Sequence, residues 1–231
     1  MNDRPRYHVL ARDRELLSRV GADLVRDPQA LLAAGVLYKI GRRGHSARVT
    51  LDGREYFLKQ YYSRGGVYRF IDLFRWSRGL KAWHITLRML DAGLAVPQPL
   101  IYAEERQGGI WRNGYLLMEF VEGAQDFRQA WDQSDTGRRM LLARTAGAAI
   151  AGLHKNRFVH GDLKWYNILC REGDDGPRLV FSDLDGARSP LCARRRAAAA
   201  DTARFLADFA EVEDGAPGRE QFLQAYRIAG P

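Results

Sequence analysis

Apolar and polar positions follow a strand-like alternation in the first part of the chain and a helical period in the second. Residues 36–40, 47–51 and 55–61 are short runs rich in branched and aromatic side chains, separated by "GRRGHS" and by Asp52-Gly53. They read as three strands joined by turns, with Asp-Gly as a hairpin turn. From 67 to 91 the spacing changes: Phe70, Leu73 and Phe74, then Leu80, Trp83, Leu87 and Leu90, recur at helical intervals, with Ser77 and Gly79 as the points where the helix would divide. "AGLAVPQP" ends it with Gly and Pro breakers. Residues 100–104 and 115–121 read as two further strands, which gives a five-stranded antiparallel sheet with a helix inserted after the third strand.

The second part reads as helix over 136–155, two short strands at 168–170 and 179–182 around "EGDDGP", and helices over 194–211 and 219–228. Strand-rich then helix-rich is an α+β pattern, with a cleft expected between the halves.

Composition narrows the class without naming the chemistry. The 231 residues are 46% apolar and 28% charged, enough for a buried core in one medium domain or two joined lobes. No apolar run is long enough to span a bilayer, and the N-terminal stretch lacks the apolar core of a signal peptide, so a cytoplasmic protein is expected. Cys170 and Cys192 have no metal-ligand spacing and are expected as free thiols. Lys and Arg number 36 against 28 acids, a net charge of +8 that favours an anionic partner. A nucleic-acid module is disfavoured, since no helix-turn-helix, RNA-binding aromatic motif or zinc spacing is present. Oligomeric state leaves no sequence signal.

The chemistry concentrates in "FVHGDLKWYNIL" at 158–169 and "VFSDLDGAR" at 180–188. Asp162 follows the long helix, Asn167 lies just before a strand, and Asp183 ends the next strand. Phosphoryl transfer needs a carboxylate to orient and deprotonate the attacking hydroxyl, oxygen ligands for Mg²⁺, and a cation against the phosphates. Gly41 and Gly44 in the first hairpin would let backbone N–H groups approach phosphates, although turns use glycine for other reasons. Lys59 sits late in the third strand, where alternation would turn it to the cleft.

Taken together, "FVHGDLKWYNIL", "VFSDLDGAR", "YFLKQYYSRGG", "GLAVPQPL" and "YLLMEFVEGA" resemble the protein-kinase-like fold, and more closely the lipopolysaccharide core kinases that phosphorylate Kdo or heptose sugars. The resemblance covers roughly residues 35–210. It implies an N-lobe (1–122) with an antiparallel sheet and inserted helix, and a compact, mainly helical C-lobe (123–231). By the same resemblance Asp162 is the catalytic base, Lys164 contacts the transferred phosphate, and Asn167 and Asp183 are Mg²⁺ ligands. Lys59 pairs with the phosphates of ATP, the backbone of Glu119, Phe120 and Val121 meets adenine, Met118 flanks that pocket, and His160 braces the loop. The implied partner is a lipopolysaccharide core sugar, and the basic surface suits peripheral association with the anionic inner face of the inner membrane.

The chain departs from protein kinases in four places. Gly161 stands where those enzymes usually carry Arg, so regulation through a phosphorylated segment is not expected. Asp183 is followed by "LDG", which leaves Asp185 as a competing ligand. The helix "GLKAWHITLRML" has no acid to pair with Lys59, and Asp72 is the only carboxylate between that lysine and Asp91. Nothing resembles an Ala-Pro-Glu element, which weighs for a sugar substrate over a peptide. A small-molecule kinase of the aminoglycoside or choline type, and a pseudokinase binding module, are the competing readings. Trp165 and Tyr166 have two readings each: stacking on a sugar, or packing under the loop.

Overall fold

The computed structural model describes residues 6–41, 44–63, 76–107, 110–192 and 194–230. The basic pair Arg42–Arg43, most of "SRGGVYR", Asp72 and the first part of the expected 67–91 helix lie outside the described residues. The chain separates into two compact units, Met1–Leu87 with Pro97–Phe120, and Arg88–Val96 with Val121–Pro231.

In the first unit the strands are β1 (Arg6–Ala11), β2 (Val36–Gly41), β3 (Gly44–Leu51), β4 (Arg54–Tyr62), β5 (Pro99–Gln107) and β6 (Ile110–Glu119). Among the described residues they form one antiparallel sheet in the order β1-β5-β6-β4-β3-β2. Asp52 (φ 49°) and Gly53 (φ 69°) both take the left-handed conformation, as the expected β3–β4 hairpin requires. The sheet has six strands where five were expected. β1 was missed because Arg6, His8 and Arg12 mask a period-two pattern, in which Tyr7, Val9 and Ala11 pack against the core.

Two more elements precede β2: α1 (Arg14–Arg26), capped by the Asp13 carboxylate, and α2 (Pro28–Ala34), capped by Asp27 with Pro28 at its first position. Val20 and Leu24 of α1 and Leu32 of α2 join Val49, Leu58, Tyr115 and Leu117 of the sheet in one buried cluster. A second cluster joins Ala82 and Trp83 of α3 (Arg78–Asp91) to Tyr61, Tyr102, Trp111 and Leu116. Strand alternation sends Leu58 to the first cluster and Tyr61 to the second.

Ser77 immediately precedes α3 and caps its first turn; whether the expected 67–91 helix divides there falls on residues outside those described. The Ser77 Oγ accepts from Leu80 N at 3.2 Å and donates to the buried Glu104 carboxylate at 2.7 Å. Tyr102 OH and Arg106 bind the same carboxylate. Gly79 is required there, because a Cβ would lie 2.6 Å from the Tyr102 ring.

The second unit contains α4 (Phe127–Asp132), α5 (Thr136–Lys155), α6 (Arg194–Ala207) and α7 (Gly215–Ala229), with a small sheet of β7 (Gln125–Asp126), β8 (Ile168–Gly173) and β9 (Gly176–Phe181). α5 has the expected bounds. α6 stops at Ala207 and continues as a 3₁₀ turn over Asp208–Glu211, so the expected 194–211 helix is two elements. The backbones of α5 and α7 approach so closely that a Cβ on Gly147 would stand 2.4 Å from Phe222 O.

The core of this unit is aromatic: Phe127, Trp131, Trp165, Phe205, Phe209 and Phe222 are buried, with Trp165–Phe127 centroids 4.8 Å apart and Phe205–Phe222 stacked at 4.9 Å. Cys170 is buried and Cys192 exposed, both as free thiols, and burial pushes the Cys170 thiol up to about 11. No described helix is long and apolar enough to cross a membrane.

Removing the Phe222 ring from the centre of this cluster is expected to cost about 3–5 kcal/mol. Urea unfolding of Phe222→Ala should show it as a lower midpoint with an unchanged slope.

Candidate functional site

The 158–169 segment contributes few backbone groups to a sheet, so side chains must satisfy the others. Helix α6 and its 3₁₀ extension supply several. Asp201, buried, accepts from His160 N at 2.5 Å and Gly161 N at 2.9 Å. Arg204 Nη1 donates to Gly161 O at 2.9 Å. Asp208 accepts from Trp165 N at 2.9 Å, and Phe205 O accepts from the Trp165 indole at 3.1 Å. Burial alone would push the Asp201 carboxyl up. The neighbouring His154 and the two amide donors outweigh it and hold the carboxyl below the ordinary range. His154 Nε2 stands 3.7 Å away, too far for a hydrogen bond, so we attribute most of this to the amides.

His160 is fully buried and braces the loop, as expected. Its Nε2 donates to Ser182 O at 2.8 Å, and its Nδ1 accepts from Asp162 N at 3.4 Å. One nitrogen as donor and one as acceptor is the neutral ring. Burial lowers its pKa, which agrees. Ser182 N donates to Asn167 O at 2.9 Å, and Val159 and Arg188 exchange both backbone bonds at 2.9 and 3.0 Å. The two signature segments are thus tied together on either side of Asp183.

The candidate polar residues of this unit lie close together. Asn167 Nδ2 donates to Asp162 O at 2.8 Å and reaches its Oδ2 at 3.4 Å. Lys164 Nζ lies 3.5 Å and Arg204 Nε 3.7 Å from Asp162 Oδ1. Asp162 keeps 48% of its side chain exposed, so its carboxylate stays accessible. Asp183 has φ 52° and ψ 54°, a left-handed conformation that costs a non-glycine residue energy and is found where surrounding structure imposes it. Trp165 packs under the loop, while Tyr166 is 62% exposed.

Gly161 has a reason that the sequence did not show. Its φ is 83°, and a Cβ there would stand 2.4 Å from Gly186 O. A side chain at this position is excluded by backbone packing, whatever regulation requires.

In the first unit, Lys59 pairs across the sheet with Ser46 and Leu116, and its Nζ lies 5.4 Å from the Tyr61 ring centroid. Gly41 and Gly44 close the β2–β3 hairpin opposite one another. They differ: a Cβ on Gly44 would overlap Gln60 O at 1.9 Å, whereas Gly41 has ordinary space. Glu119 ends β6, its N bonded to Gln98 O at 2.9 Å and its carboxylate accepting from Gln98 N at 3.3 Å. Val121 falls beyond the strand, and the chain passes between units at Phe120–Val121. α3 has one acid, Asp91 at its end, in line with the missing helix glutamate.

Sequence reasoning missed Asp201, Arg204 and Asp208. The signal was available: Asp201, Phe205 and Asp208 share a helical face with an aromatic that must be buried, and an acid on such a face implies buried donors.

A model of the lipopolysaccharide kinase (Kdo/WaaP) family matches residues 36–226. The chain belongs to that family. Among relatives of this Kdo/WaaP chain is the 3-deoxy-D-manno-octulosonic acid kinase of Pasteurella multocida (strain Pm70), 33% identical over 135 residues, or 55% of each chain. The protein of the same name from Haemophilus influenzae (strain PittEE) is 34% identical over 137 residues, again 55% of each. The Kdo/WaaP chain thus spans about half the length of the curated relatives it matches. A solved structure, WaaP in complex with acyl carrier protein, aligns with a TM-score of 0.70 at 19% identity over 96% of this chain and 89% of that one. The expected α+β, protein-kinase-like fold is therefore the fold of this chain.

Asp201→Asn should lower stability at neutral pH, because an amide replaces the charged acceptor of two buried N–H groups. The depressed carboxyl contributes stability above its unfolded pKa of about 3.9, and this is lost as pH falls through the lower folded value. Denaturation midpoints of wild type and variant should therefore converge below about pH 4.

Proposed function

We propose that this chain is an ATP-dependent kinase that transfers the γ-phosphate to a hydroxyl of Kdo or heptose in the lipopolysaccharide inner core. One observation carries the reading: an accessible Asp162 carboxylate beside Lys164 and Asn167, on a loop bonded through Asn167 O to the residue preceding Asp183. Family membership and the names of its relatives support the acceptor class.

Asp162 orients the acceptor hydroxyl and takes its proton, and Lys164 offsets charge on the transferred phosphoryl group. Asn167 and Asp183 offer one neutral and one anionic oxygen donor. That set suits Mg²⁺, which keeps several positions for water and phosphate oxygens. When bound, the metal would neutralise developing charge on the phosphates. In the 1–122 lobe, Lys59 pairs with the phosphates, Gly41 and Gly44 bring the backbone of the β2–β3 hairpin to them, and the backbone around Glu119–Val121 receives adenine. Peripheral attachment to the anionic inner face of the inner membrane fits the exposed Arg194, Arg195 and Arg196, whose charge favours such a surface.

The test is a mass increase of one phosphate on a defined core oligosaccharide incubated with protein, ATP and Mg²⁺. Asp162→Asn is expected to lower kcat by about 10²–10⁴-fold with ATP affinity largely kept. Asp183→Asn should weaken Mg²⁺-dependent nucleotide binding, read by titration calorimetry. Equal affinity losses in both variants would contradict the separate roles.

A further inference from the structure

We propose that Arg204 recognises the acceptor, its guanidinium taking the carboxylate of an acid sugar while Asp162 receives the sugar hydroxyl. The inference rests on the kinase reading above and adds the group that selects the acceptor.

Placement is the first support. Arg204 Nη1 is fixed on Gly161 O at 2.9 Å, and Nε stands 3.7 Å from Asp162 Oδ1, so the cation is held beside the accessible carboxylate. Capacity is the second. A guanidinium carries five N–H donors. Gly161 O takes one, and 3.7 Å is too long for Asp162 to take another by hydrogen bond. With 41% of the side chain exposed, the remaining donors are available to a ligand.

Charge is the third support. Lys164 already lies 3.5 Å from Asp162 Oδ1. That lysine offsets charge on the transferred phosphoryl group, and a second cation next to the base is placed to meet an acceptor that brings negative charge of its own. The 3-deoxy-D-manno-octulosonic acid named in the relatives is such an acceptor. A planar fork suits a carboxylate better than a point charge does. The loop cannot supply this fork at Gly161, where even a Cβ would stand 2.4 Å from Gly186 O, so a neighbouring helix does.

The experiment compares steady-state kinetics on a Kdo-bearing acceptor and on the same acceptor with its carboxylate reduced to an alcohol, for wild type, Arg204→Lys and Arg204→Met. Arg204→Met should raise the KM for the acid acceptor roughly ten- to hundredfold, the loss of a charged hydrogen bond, with the KM for ATP within about twofold. Arg204→Lys should fall between. Reducing the carboxylate should cost wild type a similar factor and Arg204→Met nothing further. A wild type that uses both acceptors equally well, or an Arg204→Met loss that is the same on both or extends to ATP, overturns the inference and leaves the kinase reading standing. A wild type that phosphorylates neither acceptor overturns both.

Discussion

The Asp201 carboxylate is the constraint on which the candidate site depends. A turn that carries functional side chains cannot also run in a ladder, so its amides need another acceptor. Here one buried charge on α6 takes the amides of His160 and Gly161. A charge is costly to bury unless its donors are in place. Here the arrangement is mutual: the amides hold the charge in its ionised form, and the charge fixes the turn. His160 extends the chain of bonds to Ser182 O, and Asn167 O closes it through Ser182 N. Positions of Asp162 and Asp183 are therefore set by groups that would touch no substrate, in the way a precise site needs a supporting shell.

Gly161 shows how a missing residue can be misread. Its lack of a side chain reads from sequence as the loss of a regulatory arginine. Packing gives a prior reason, since the left-handed backbone and the approach to Gly186 leave no room for a Cβ. Besides Lys164 of the loop itself, a guanidinium stands beside Asp162, supplied by Arg204 on a helix forty-three residues after Gly161. A position-by-position comparison would score this as an absence, whereas in space a cation is present.

What was legible from sequence was periodic or chemically marked. The β3–β4 hairpin followed from Asp-Gly between strand-patterned runs, and α5 from a helical pattern over 136–155. Asp162 stood out as a polar residue following the long helix, Asn167 just before a strand and Asp183 at the end of the next strand. The first two proved to be neighbours, and the segment leading into Asp183 is bonded to the same loop. β1, α1 and α2 were missed because their apolar positions are interrupted by arginines and acids, and their burial comes from packing on a sheet assembled later in the chain. Asp201 was hidden for a similar reason. An acid in an alanine-rich helix looks like solubilising surface until the fold brings two amides to it.

These differences separate what the chain spends on stability from what it exposes for chemistry. Asp162 is half exposed, and its charged neighbours lie at 3.5 and 3.7 Å, an arrangement of the surface type that contributes little to folding. Asp201 is buried with two short bonds to amides that would otherwise be left without an acceptor. The residue proposed to react is thus nearly independent of the fold's stability, while the residue that aims it is bound up with the fold. The aromatic core explains why the aim holds: Trp165, within the loop itself, is buried among Phe127, Phe205 and Phe209, so a shift of the loop would open a cavity in the aromatic core of the unit. The loop behaves as part of the core along one edge and as a solvent-facing site along the other.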